Sequence, residues 1–171
     1  NNLAEIYPER VKAMDDALLN WLDKNASDRE TPVRFLLGSN GHPKISLTTQ
    51  DLWEKPAFSQ SHVRKLELGR GPWKVSFVND GKYRITLSRY PLYTGLAFNA
   101  KTNGKNSKNF TANKAILSIG ENTYEKEIQA TDTNVSFEVD VKAGNTDLET
   151  WIHSAEGITI PSYFVDVEIL N

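Results

Sequence analysis

The sequence contains no cysteine and a single methionine, Met14, in 171 residues. A chain without thiols has no disulfide, no thiolate metal site and no cysteine nucleophile. The absence is silent on compartment, because such a chain is equally at ease in oxidising and reducing surroundings. Long apolar runs are missing too. None exceeds about five residues, against the ~20 that a membrane-spanning helix needs. No sign of charge prevails: 20 Lys and Arg face 22 Asp and Glu, a net charge of -2. That leaves no global field to hold nucleic acid or an anionic membrane. The opening residues Asn1-Asn2-Leu3-Ala4-Glu5 have neither the basic start nor the apolar stretch of a signal peptide. No methionine begins the chain, and the expectation is a processed product or a piece of a longer protein.

What is present is an ordinary globular composition, 39% apolar and 25% charged, of a length that suits one domain or one domain with an appendage. Three zones follow one another. The first, residues 1–27, holds one amphipathic helix over about 8–24. Pro8 is tolerated in a first turn, where its missing N–H has no helical partner. Val11, Met14, Leu18, Trp21 and Leu22 form an apolar stripe. Asn25-Ala26-Ser27-Asp28 ends the pattern. A helix this short is marginal alone, so its stripe needs cover from the rest of the chain or from another domain. The second zone, 28–72, reads as an irregular linker punctuated by Pro32, Gly38, Gly41, Pro43, Pro56, Gly69, Gly71 and Pro72, with short extended pieces at 33–37 and 45–49.

The third zone, 73–171, alternates apolar and polar residues with period two. Trp73, Val75 and Phe77 are followed by the tight-turn signal Asn79-Asp80-Gly81, then Tyr83, Ile85 and Leu87. Further runs lie at 115–119, 124–128, 135–141, 147–153 and 163–169. Alternation of this kind belongs to antiparallel sheets wet on one face. The predicted fold is therefore mainly β: an antiparallel β-sandwich, jelly-roll-like, preceded by one N-terminal helix and joined by strands from the second zone. A polar loop with three Lys and five Asn spans 99–113.

No specific catalytic constellation emerges. His42, His62 and His153 lack ligand spacing and read as surface or loop residues. Leu68-Gly69-Arg70-Gly71-Pro72 has no helix after it to present an N-terminus to a phosphate, and reads as a turn into a strand. Asp51 with Glu54, or Glu149 with Glu156, would be the carboxylate pairs of a glycosidase, but sequence cannot fix their separation. The catalytic and metal residues expected here are therefore none. The aromatics say more. Trp53, Phe58, Tyr90, Tyr93 and Trp151 do not all fit the alternation that would bury them, and Trp151 has the opposite parity from Leu148, Thr150 and Ile152. Exposed rings beside polar side chains hold sugars, the C–H groups stacking on the ring while hydroxyls bond the neighbours. The competing reading packs these rings under loops. Arg89, between Tyr90 and a strand, either clamps an anionic group by its fork or pins a loop through backbone carbonyls, the second being preferred. Trp53, Arg89, Tyr90, Tyr93 and Trp151 are the candidate ligand contacts.

Several phrases together resemble the C-terminal region of bacterial formylglycine-dependent sulfatases. Asn2-Leu3-Ala4 with the Pro8-Glu9 helix and Trp21 resembles the closing helix of their catalytic part. Leu37-Gly38-Ser39, 47–53, Gly71-Pro72-Trp73-Lys74-Val75, 81–91, Leu148-Glu149-Thr150-Trp151 and Tyr163-Phe164-Val165 resemble, in order, a β-rich extension found in a subset of these enzymes. Gln50 stands where the family has His, and Tyr90 where it has Trp. The resemblance implies a non-catalytic accessory domain, structural or glycan-contacting, whose partners are the catalytic domain of the same parent chain and a sulfated carbohydrate. It implies a periplasmic or secreted parent, with calcium and formylglycine in the catalytic domain. The alternative is a free-standing carbohydrate- or protein-binding sandwich. No Ser-x-Pro-x-Arg source of formylglycine lies in this chain, which carries no cofactor of its own and is expected to be inactive alone.

Overall fold

A computed structural model of the chain describes residues 2–26, 31–57, 59–103 and 107–170. It divides into two units, 1–33 and 34–171. The first unit is built on α1 (Pro8–Asn25), with Pro8 in its first turn and Lys24 in its last. Both placements suit a helix, whose first N–H groups lack partners and whose C-terminal dipole favours a cation. Lys12 and Asp16 pair one turn apart at 2.6 Å. No residue of α1 is buried. Val11, Met14, Leu18 and Trp21 are all exposed, and Leu22 is half-buried. Ser27 and Asp28, the end of the expected stop signal, lie outside the described residues.

The second unit is the predicted β-sandwich, with ten strands among the described residues. One sheet runs β1 (Phe35–Leu37), β3 (Trp73–Phe77), β8 (Gly144–Ser154), β5 (Ala112–Ile119), β6 (Asn122–Glu127), with β9 (Thr159–Ile160) also on β8. The other runs β2 (Lys44–Thr48), β10 (Phe164–Leu170), β4 (Gly81–Ser88), β7 (Val135–Val141). Alternation sets which side chains go inward. Trp73, Val75 and Phe77 of β3 are buried, as are Tyr83, Ile85 and Leu87 of β4. Val165 and Val167 of β10 and Leu148 and Ile152 of β8 join them in one core. Phe77 meets Tyr83 edge to face across the sheets, ring centroids 4.8 Å apart. The Trp73 indole N–H donates to the Thr48 carbonyl at 2.7 Å, which satisfies the one polar atom of the largest buried side chain.

Three features depart from the sequence reading. The chain bends at Asn79, but Asn79-Asp80-Gly81 joins no hairpin and Gly81 is not in the left-handed region, because β3 and β4 belong to different sheets. Turn chemistry sets where a chain reverses, and the partners of the flanking strands are decided by the core. The turn at Lys142-Ala143 likewise passes from β7 in one sheet to β8 in the other. Asp80 ties the two crossings together, accepting from the Ala143 N–H at 2.7 Å and from Lys142 Nζ at 2.8 Å. Second, β1 pairs with β3 in parallel, Phe35 opposite Val75, so the sandwich is not wholly antiparallel. Third, the zone expected to be irregular contains a short helix, α2 (Gln60–Lys65), capped by Ser59, whose Oγ accepts from the His62 N–H.

Candidate functional site

The end of β4 leads into a tight segment that leaves one aromatic ring in solvent. Pro91 precedes a 3₁₀ turn at Leu92–Thr94. The Thr94 N–H and hydroxyl both donate to the Pro91 carbonyl, at 2.9 and 2.7 Å. Gly95, at φ +63°, closes the turn in the left-handed region. The Tyr93 ring projects from this turn and is 91% exposed.

Tyr93 stands at the rim of a cleft of about 510 Å³, within the usual range of ligand pockets. Tyr90, Thr94, Thr102, Asn103 and Phe164 line it, and α2 adds Gln60, Val63 and Arg64. Leu66 holds α2 in place. It ends the helix at φ 58°, a left-handed conformation rare for leucine, and its side chain is buried. The reversal lets Glu67 accept a hydrogen bond from the Tyr163 hydroxyl at 2.9 Å through its backbone carbonyl. The Arg64 carbonyl accepts from the Lys108 N–H at 3.0 Å, joining α2 to the polar loop.

Behind the cleft wall lies Arg89, 1% exposed. Its Nη1 donates to the Phe98 carbonyl at 2.8 Å and to that of Ala100 at 3.5 Å. The guanidinium carbon lies 4.9 Å from the Tyr90 ring centroid and 5.2 Å from that of Phe110. The Tyr90 hydroxyl donates to the Ala100 carbonyl at 2.7 Å. Arg89 thus pins the loop after the Tyr93 turn through backbone carbonyls. Burial pulls its pKa down from the usual arginine value and pushes those of Tyr90 and Tyr163 up. A guanidinium nevertheless keeps its proton, so a full positive charge sits inside the sandwich.

The other aromatic candidates lie elsewhere. Trp151 is half-buried on the outer face of β8, with the buried residues Leu148, Thr150 and Ile152 on the inner face. It lines a separate groove of about 390 Å³ with Glu54, Arg70, Glu149 and Thr159. Trp53 is 44% exposed, one residue before Glu54, and its N–H donates to the Pro72 carbonyl. Phe58 lies outside the described residues. The structure therefore brings Tyr90 and Tyr93 together, puts Arg89 behind them, and sets Trp151 in a second place. Gln60, Arg64 and Asn103 are cleft residues that sequence reasoning missed. The Ser59 cap ahead of Gln60 was the available signal for α2.

Of the candidate carboxylates, Asp51 and Glu156 are occupied with local structure. Asp51 Oδ2 accepts from the Thr48 N–H and hydroxyl. Glu156 accepts from the Thr111 N–H at 3.3 Å. Among the described residues, no three His, Asp or Glu side chains come together. No helix of the described residues is long and apolar enough to cross a membrane.

Neither a protein-family model nor a curated protein matches this sequence. Solved structures with a similar arrangement include a ruminal GH26 endo-beta-1,4-mannanase, 14% identical, TM-score 0.41, covering 74% of this chain and 26% of that one. A Podospora anserina GH26-CBM35 beta-(1,4)-mannanase is 10% identical, TM-score 0.40, with 75% and 28% covered. The CBM35 from Cellvibrio japonicus Abf62 is 12% identical, TM-score 0.36, with 77% and 90% covered. The chain thus spans about a quarter of the length of either mannanase.

Proposed function

We propose that the sandwich is a glycan-binding module and that the Tyr93 cleft is its contact surface. The observation that carries this reading is a tyrosine ring 91% exposed at the mouth of a cleft lined by Gln60, Arg64, Thr94, Thr102 and Asn103. Leaving a ring in water wastes apolar area unless something covers it. A sugar suits the vacancy: its C–H face lies on the ring while its hydroxyls exchange hydrogen bonds with amide, hydroxyl and guanidinium groups. Isothermal calorimetry of the full chain against a panel of oligosaccharides tests it. Tyr93→Ala is expected to weaken binding about tenfold, ~1.4 kcal/mol, with an unchanged far-ultraviolet circular dichroism spectrum. If Tyr93→Ala binds as the native chain does while Trp151→Ala does not, the contact surface is the β8 groove instead.

A second, compatible reading is supported by the ordered sequence phrases. In it the module is the C-terminal accessory region of an exported sulfatase, docked on the catalytic domain of the same parent chain. Calcium and formylglycine would belong to that domain. Reading the coding sequence upstream of Asn1 tests it. A Cys- or Ser-x-Pro-x-Arg phrase within a sulfatase domain supports the reading, and an unrelated domain there overturns it.

A further inference from the structure

We infer that the Tyr93 cleft selects sugars that carry an anionic group, a carboxylate or a sulfate ester, and that Arg64 is the side chain that takes it. This rests on the glycan reading above and adds the charge of the ligand. The cleft lining holds one cation, Arg64, and no Asp or Glu. Arg64 has no ion-pair partner among the described residues, and its Nε is buried with no acceptor. The carboxylate three positions on, Glu67, faces His62 at 3.7 Å.

Arg89 repeats the pattern one layer deeper. Its Nε and Nη2 are buried without an acceptor, and the groups that act on its charge are two tyrosines, not a carboxylate. An unpaired buried charge is costly, and Arg89 has no carboxylate beside it to offset that cost. Elsewhere in the sandwich Arg34, Lys44, Lys74, Arg84, Lys114 and Lys142 each meet a carboxylate. The Trp151 groove also contains both signs, Arg70 with Glu54 and Glu149. Among the described residues, the Tyr93 cleft combines a guanidinium without an ion-pair partner at its wall with a second positive charge behind the adjoining Tyr90 ring. A concave site lined by one sign of charge, with a low-dielectric wall, concentrates the opposite sign. The planar guanidinium fork suits the paired oxygens of a carboxylate or a sulfate ester.

The test titrates the full chain with three trisaccharides: a galacturonate trimer, a sulfated galactose trimer and a neutral mannose trimer. At least one acidic trimer is expected to bind about tenfold or more tightly than the neutral one. The preferred arm, carboxylate or sulfate, identifies the group. Raising the salt from 20 to 500 mM should shrink the preference, and Arg64→Gln should abolish it. Arg64→Lys, which keeps the charge and loses the fork, should retain part of it and guards against a folding defect. Equal binding of acidic and neutral trimers, or a preference that survives Arg64→Gln, overturns the inference and leaves the glycan reading standing. Failure of the native chain to bind any glycan overturns both.

Discussion

At the scale of single residues, Gly38 and Glu156 show how local geometry becomes stability. Gly38 follows β1 at φ +73°. A Cβ there would lie 2.6 Å from Tyr83 Cε1 and 2.8 Å from Cζ. The Gly38 carbonyl accepts from Asn79 Nδ2 at 2.8 Å, and the Asn79 carbonyl accepts from the Tyr83 hydroxyl at 2.8 Å. Tyr83 cannot move away without breaking that chain. Gly38→Ala is therefore expected to cost about 2–4 kcal/mol from overpacking and left-handed strain, read as a lower urea midpoint with an unchanged slope. Glu156 acts through its proton. Hydrogen bonds from Thr111 and Ser154 hold its pKa down at about 2, below the ordinary glutamate value of 4.5. A carboxylate with a depressed folded pKa stabilises above its unfolded value, and that contribution fades as pH falls from 4.5 through 2. Glu156→Gln should flatten the plot of melting temperature against pH in that window and change its slope little above pH 5. Neither role was visible in the chain itself. The sequence marks Gly38 as loop punctuation, and Glu156 figures in it only as half of a carboxylate pair whose separation is not readable. The ring beside one and the first of the two hydroxyls around the other come from residues 45 positions away, Tyr83 and Thr111.

Elements were more legible, for reasons of period. A two-residue alternation is a local record of which face is dry, so β3, β4, β5, β7, β8 and β10 could be read directly. The parity of Trp151 was legible for the same reason. β6, where no residue is buried, carries no such record, and the run read at 124–128 misses its first two residues. Strand partnership was not legible. Asn79-Asp80-Gly81 predicts a reversal, but the pairing of β3 with β8 and of β4 with β7 and β10 depends on residues about 50–90 positions away. α2 was missed because six residues carry less than two turns of periodicity, and with it went the wall that supplies Arg64 to the cleft. α1 was read to within a residue of its ends, since its stripe repeats over 18 residues. Within its own unit and among the described residues, α1 is held by its backbone hydrogen bonds, the Lys12–Asp16 pair, the Asn25 side chain on the Trp21 carbonyl and Arg10 over the Tyr7 ring. A synthetic peptide of residues 3–26 is expected to be less than about half helical by circular dichroism in water at 25 °C, and to gain helix in trifluoroethanol. A fully helical peptide would show that the stripe needs no cover.

Taken whole, the second unit is a sandwich whose chain keeps changing sides, and the order of strands in its smaller sheet has a consequence for how it is made. β10, residues 164–170, lies between β2 and β4. It alone provides a partner for β2. As the polypeptide leaves the ribosome, β2 emerges more than a hundred residues before the strand that must sit beside it, and β4 and β7 can pair meanwhile with a gap left open. The gap is lined by main-chain groups and by the apolar floor that Val165 and Val167 will cover. Until translation delivers those seven residues, the nascent protein displays a slot that accepts any extended segment of similar pattern, including the same stretch from a sister polypeptide.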